Sequence, residues 1–153
     1  MKLSEHLDLA EVIRSESAKR RGISNMPSEE HTKNLKLIAE HIFEPIRANF
    51  RQPIRISSGY RSQSLNAAIG GATRSQHSTG EALDIDMDGT ELSNKEIFNF
   101  IKDKLPFDQL IWEFGNDQNP DWVHVSYSAS GNQRKQVLKA IKENGKTKYI
   151  PYK

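Results

Sequence analysis

Three observations on the 153-residue sequence predict an α+β fold, with N-terminal helices packed on a mostly antiparallel sheet. Helix-start signals and apolar residues at three- and four-residue spacing fill the first third of the chain. Alternating apolar and polar runs follow, broken by one further helix signal. Asn144-Gly145 then marks a tight hairpin near the C-terminus. Helices first and strands after them argue α+β rather than an alternating α/β order. The length allows one core, and nothing resembling a linker, repeat or low-complexity tract divides the chain, so residues 1–153 are expected to form a single domain.

Each element has a local reason. Asp8 with Glu11 forms a capping box, Leu7 and Val12 stand at the staple positions around it, and Gly22 can end that helix. A second helix is expected from near Ser28 to near Phe50. Leu35, Ile38, Ile42 and Ile46 make its buried stripe, and Pro45 should kink or shorten it. Ser93 and Glu96, stapled by Leu92 and Ile97, open a third helix to about Lys104, before Pro106. Ile54 and Ile56 alternate with Arg55 and Ser57 ahead of a turn at Gly59. Leu83, Ile85 and Met87 alternate with Asp84, Asp86 and Asp88, giving a strand with one acidic face. Leu110 to Phe114 and Trp122 to Tyr127 read as two more strands. Val137 to Lys142 and Lys146 to Ile150 read as a hairpin pair, with a helix over Gln133 to Asn144 as the competing reading.

Composition excludes several chemistries. A net charge of +2 with 27% charged residues fits neither a disordered polyelectrolyte nor a strongly basic nucleic-acid binder. The chain has no cysteine, so a disulfide scaffold, a thiol nucleophile and Cys-ligated metals are ruled out, and any metal must sit on His, Asp or Glu. The first residues lack the apolar core of a signal peptide, and no apolar run nears the ~18 residues of a membrane span. The chain therefore reads as soluble and without an export signal of its own. A monomer with no nucleic-acid or membrane partner is expected.

The informative stretch is Ser75-Gln76-His77-Ser78-Thr79-Gly80-Glu81-Ala82-Leu83-Asp84, followed by Asp121-Trp122-Val123-His124. A catalytic zinc needs three ligands and an open position, and His77, Asp84 and His124 supply such a set. One negative ligand leaves the site at net +1, which favours acidified water. Asp121 precedes His124 by three residues and would face the other way on an ideal strand. It could act as proton acceptor and donor only if the chain curls at the strand entrance, after Pro120. Arg61, after a strand and a turn, could bind a substrate carboxylate or stabilise an oxyanion.

Ser57-Ser58-Gly59-Tyr60-Arg61, Ser75-x-His77-x-x-Gly80-x-Ala82-x-Asp84 and Asp121-x-x-His124 occur here in one order. In this the chain resembles the zinc peptidases that include D-alanyl-D-alanine carboxypeptidases and L-alanyl-D-glutamate endopeptidases. More closely, it is similar to their short, stand-alone members of phage and prophage type. The resemblance runs from about Leu7 to Tyr152. It implies one zinc per chain on His77, Asp84 and His124, Asp121 as general base and acid, Arg61 on substrate or oxyanion, and Ser75 in contact with substrate. The implied substrate is a peptidoglycan stem peptide, with the choice between terminal and internal cleavage left open. Access to the wall would then depend on lysis or virion delivery. A non-catalytic wall-binding or phage structural module of the same fold is the alternative.

Other motifs fail on detail. Asp84-x-Asp86-x-Asp88-Gly89 imitates a calcium loop but has Lys95 where a bidentate Glu is required. Gly145-Lys146-Thr147 lacks the earlier glycine of a phosphate loop, and Ser-x-x-Lys is absent, which removes a serine route to cell-wall peptide chemistry. His6, His31 and His41 read as solvated helix residues, and Trp112 and Trp122 as core or pocket wall.

Overall fold

The computed structural model describes all 153 residues. Six α-helices and six strands follow the expected order, helices first. Asp8 caps α1 (Leu9–Ile13) with the full capping box, its side chain accepting from Ala10 N while Glu11 accepts from Asp8 N. The expected first helix is in fact two. Arg14 is extended and Ser15 caps a separate α2 (Glu16–Arg21), which Gly22 ends in the left-handed region.

The second expected helix is α3 (Glu29–Ile38), a π-helical turn (Ala39–Phe43) and α4 (Glu44–Phe50), joined without a break. Proline has no N–H to give, and the wider turn lies just ahead of Pro45, with Glu44 N–H donating to Ala39 O. The stripe Leu35, Ile38, Ile42 and Ile46 stays buried throughout. Two short helical pieces carried no strong sequence signal: α5 (Gln63–Ala68), capped by Ser62, and a 3₁₀ turn (Gln76–Thr79) capped by Ser75. Helix α6 (Asn94–Lys104) has its expected capping box at Ser93 and Glu96.

The sheet runs β1-β2-β4-β3-β5-β6, from β1 (Ile56–Ser58), β2 (Ala82–Ile85), β3 (Gln109–Glu113), β4 (Trp122–Ser126), β5 (Gln136–Glu143) and β6 (Lys146–Pro151). All pairs are antiparallel except β3 with β5. The hairpin forms around Asn144-Gly145, both at positive φ as a type I′ turn requires, so the helical alternative for this segment is not adopted.

Alternation gives the sheet two different faces. Leu83, Ile85, Val123, Val125, Leu110 and Trp112 point into one 26-residue core with the helical stripe and α6. Asp84, His124, Ile111 and Glu113 point the other way, onto a face that no helix covers. The histidines outside this face have partners: His6 bonds Glu44, His31 bonds the Tyr60 hydroxyl, and His41 stacks on Tyr127 at 4.7 Å. No helix is long and apolar enough to cross a membrane.

Candidate active site

Cross-strand register assembles the site. Asp84 on β2 pairs with His124 on β4, which pairs with Ile111 on β3, which pairs with Leu138 on β5, so these side chains form one row. His77 reaches the row from the 3₁₀ turn before β2. That turn is braced from behind. Asn34 Nδ2 on α3 donates to Thr79 O, and Gly80, at φ +79, packs so closely that a Cβ would lie 2.5 Å from His31 O. Only glycine serves there.

Asp84 Oδ1 lies 3.3 Å from His77 Nε2 and 3.0 Å from His124 Nδ1. Tetrahedral zinc with bonds of about 2.0–2.1 Å holds its donors roughly 3.3 Å apart, so this donor set fits zinc in both chemistry and spacing. His77 Nδ1 is 2.6 Å from Gly59 O, which fixes a tautomer with Nε2 free for a metal. Burial pushes Asp84 up, but the imidazoles of His77 and His124 outweigh it and hold the carboxyl well below the usual carboxylate range. Asp84 is therefore a carboxylate at neutral pH, as a ligand must be.

Around this cluster lies a cleft of about 740 Å³. Its floor is the uncovered sheet face, with Gln109 and Gln136 beyond the metal row on one side and Glu113, Trp122 and Tyr149 on the other. Arg61 and the segment from Gly70 to Gln76 form a wall. Arg61 Nε is buried without a partner, a donor waiting for an acceptor. Ser75 also lines the cleft, and its hydroxyl caps the turn by accepting from His77 N.

Asp121 does not line this cleft. Its side chain is exposed and lines a separate hollow with Asp117 and Lys139. Trp122 and His124 share the cleft face, while Asp121 lies in the bend just ahead of β4, its N–H donating to Glu113 O and its side chain lining the other hollow.

Besides Asp84, the carboxylate that lines the cleft is Glu113, which sequence reasoning passed over. Burial raises its pKa to about 7, with the charge of His124 opposing and that of Asp84 adding to the rise. Tyr149 was missed as well. It shares a cross-strand row with Glu113, separated only by the small Ala140. Burial and then the charges of Glu113 and Asp84 raise its phenol pKa. The signal for Glu113 was available: a lone acid at an alternate position of an otherwise apolar strand, Leu110 to Phe114.

A family model described as Peptidase M15 matches residues 5–126, from the first turn to the end of β4. The chain belongs to the peptidase M15 family. With the His77, Asp84 and His124 cluster, this makes it a zinc metallopeptidase holding a single zinc per chain. No curated protein matches it. The β5–β6 hairpin, which supplies Leu138, Thr147 and Tyr149 to the cleft, lies beyond the residues matched.

Proposed function

We propose that this peptidase hydrolyses peptide bonds within peptidoglycan stem peptides, with Glu113 as its proton carrier. Glu113 carries the reading. A wall-binding module needs no buried carboxylate on the cleft floor one row from the metal ligands, whereas a hydrolase does.

When bound, zinc supplies Lewis acidity, polarising a carbonyl and lowering the pKa of water. The chain does the rest. His77, Asp84 and His124 would hold the ion, with His77 oriented by Gly59 O. Glu113 removes a proton from the attacking water and returns it to the leaving nitrogen, so the carboxyl ends as it began. The Arg61 guanidinium, on the cleft wall, takes the carbonyl oxygen or a carboxylate of the peptide. The floor continues on both sides of the metal row, which suits a peptide bound across the cut and favours internal cleavage.

The test is digestion of purified muropeptides by zinc-loaded protein, read by mass spectrometry. Internal cleavage gives two peptide fragments, whereas terminal cleavage releases a single amino acid. Glu113→Gln should abolish either product. If no product forms from soluble fragments or intact sacculi, the proposed substrate is wrong.

A further inference from the structure

We infer that Arg134, clamped by Asp108, forms a second subsite in the cleft for a substrate carboxylate distant from the cut bond. The inference rests on the reading above that a peptide lies across the metal row.

Asp108 is buried at the start of β3 and is fully engaged. Its Oδ1 accepts from Arg134 Nε at 3.1 Å and from Arg134 backbone N–H at 3.0 Å. Its Oδ2 accepts from Arg134 Nη2 at 2.9 Å and from Gln76 Nε2 at 3.1 Å. One edge of the guanidinium, Nε with Nη2, is thus occupied. The other edge, Nη1 with the second Nη2 hydrogen, has no protein partner, and the side chain remains 56% exposed in the cleft. A planar fork with one edge locked and one free matches a second carboxylate bidentately. The lock also removes the rotamer freedom that a loose surface arginine would lose on binding.

Charge agrees. Arg61, Arg74 and Arg134 line the cleft, against two acidic residues, Asp84, which the metal takes, and Glu113. Position sets the spacing. Gln136 lies one row beyond Leu138 of the metal row, and Arg134 precedes it by two residues. Lys135 turns the chain at positive φ, so the spacing is set by Asp108, which holds the guanidinium and precedes Ile111 of the metal row by three residues. At about 3.3 Å per strand residue, the guanidinium stands roughly 10 Å along the floor from the metal row. That is about two to four residues of extended peptide. The fitting ligand is a short peptide with a free carboxylate on a branch that far from the cut bond.

The experiment compares two synthetic stem peptides that differ only in having that branch as a carboxylate or as its carboxamide. The zinc-loaded wild type should prefer the carboxylate by about tenfold in kcat/KM, mostly through KM. Arg134→Gln should lose the preference, its fall in kcat/KM coming mainly through KM on the carboxylate probe, and keep its zinc content. Arg134→Lys, which keeps the charge but not the second edge, should lose most of the preference too. Equal rates on both probes in the wild type, or a preference that survives Arg134→Gln, would overturn the subsite and leave the peptidase reading standing. If neither probe is cut, the substrate reading fails instead. Fluorescence titration with the same probes, read from Trp122 in the cleft, then decides the subsite. Tighter carboxylate binding that Arg134→Gln removes supports it, and equal or absent binding overturns it.

Discussion

Glu113 sits on the floor of the cleft with a pKa raised by burial to about 7, while Asp121 lies exposed in another hollow. Replacing the first should cost about 10²–10⁴-fold in kcat, the usual worth of a positioned acid-base group, with zinc content unchanged. Asp121→Asn should stay within a few-fold of wild type in the same assay. The raised pKa also makes a statement about stability. Between about pH 4.5 and pH 7 the folded, metal-free protein holds a proton on Glu113 that the unfolded chain has released. Folding is therefore free of this penalty below about pH 4.5, is increasingly penalised as pH rises to about 7, and carries a constant penalty above that. Metal-free Glu113→Gln should match wild type near pH 4 and exceed it by up to about 3 kcal/mol at pH 8, as urea unfolding would measure. Had the gap instead narrowed toward high pH, burial would not govern this group. The metal ligands could be read from the sequence because spacing and residue type are enough to nominate them. Glu113 could not be read as readily, because its role depends on which strands flank β3.

The elements differ in how visible they were for physical reasons. The capping boxes at Asp8 and Ser93 and the Asn144-Gly145 turn are local devices, complete within a few residues, and all three form. The break after Ile13 turns on a single extended residue, Arg14, and a fresh cap at Ser15. The π turn lies just before Pro45, and the stripe Leu35, Ile38, Ile42 and Ile46 stays buried through it. Gly80 links an element to the site. Alanine there meets both a left-handed φ and the His31 carbonyl at 2.5 Å. Gly80→Ala should destabilise the protein by about 1–3 kcal/mol and lower zinc affinity, since it displaces the turn that carries His77. A variant with unchanged melting and zinc affinity would show that the turn does not depend on that contact.

Across the whole molecule, one sheet separates two environments. Its inner face closes a single core with the helices, and its outer face is the floor of the cleft. One core implies one cooperative unit, so thermal unfolding should be a single transition with equal calorimetric and van't Hoff enthalpies. Zinc binds only the folded arrangement of His77, Asp84 and His124, so chelation should lower that transition as a whole. The α+β class and sheet region were legible because periodicity is a property of each segment. The parallel pairing of β3 with β5 was not, since it joins segments on either side of β4. The most direct test of the central claim is the release of new amino groups from purified peptidoglycan by three zinc-loaded proteins: wild type, Glu113→Gln and Asp121→Asn. Release by wild type and Asp121→Asn, lost in Glu113→Gln and on chelation, is the expected result. Release that persists in Glu113→Gln and disappears in Asp121→Asn would contradict it.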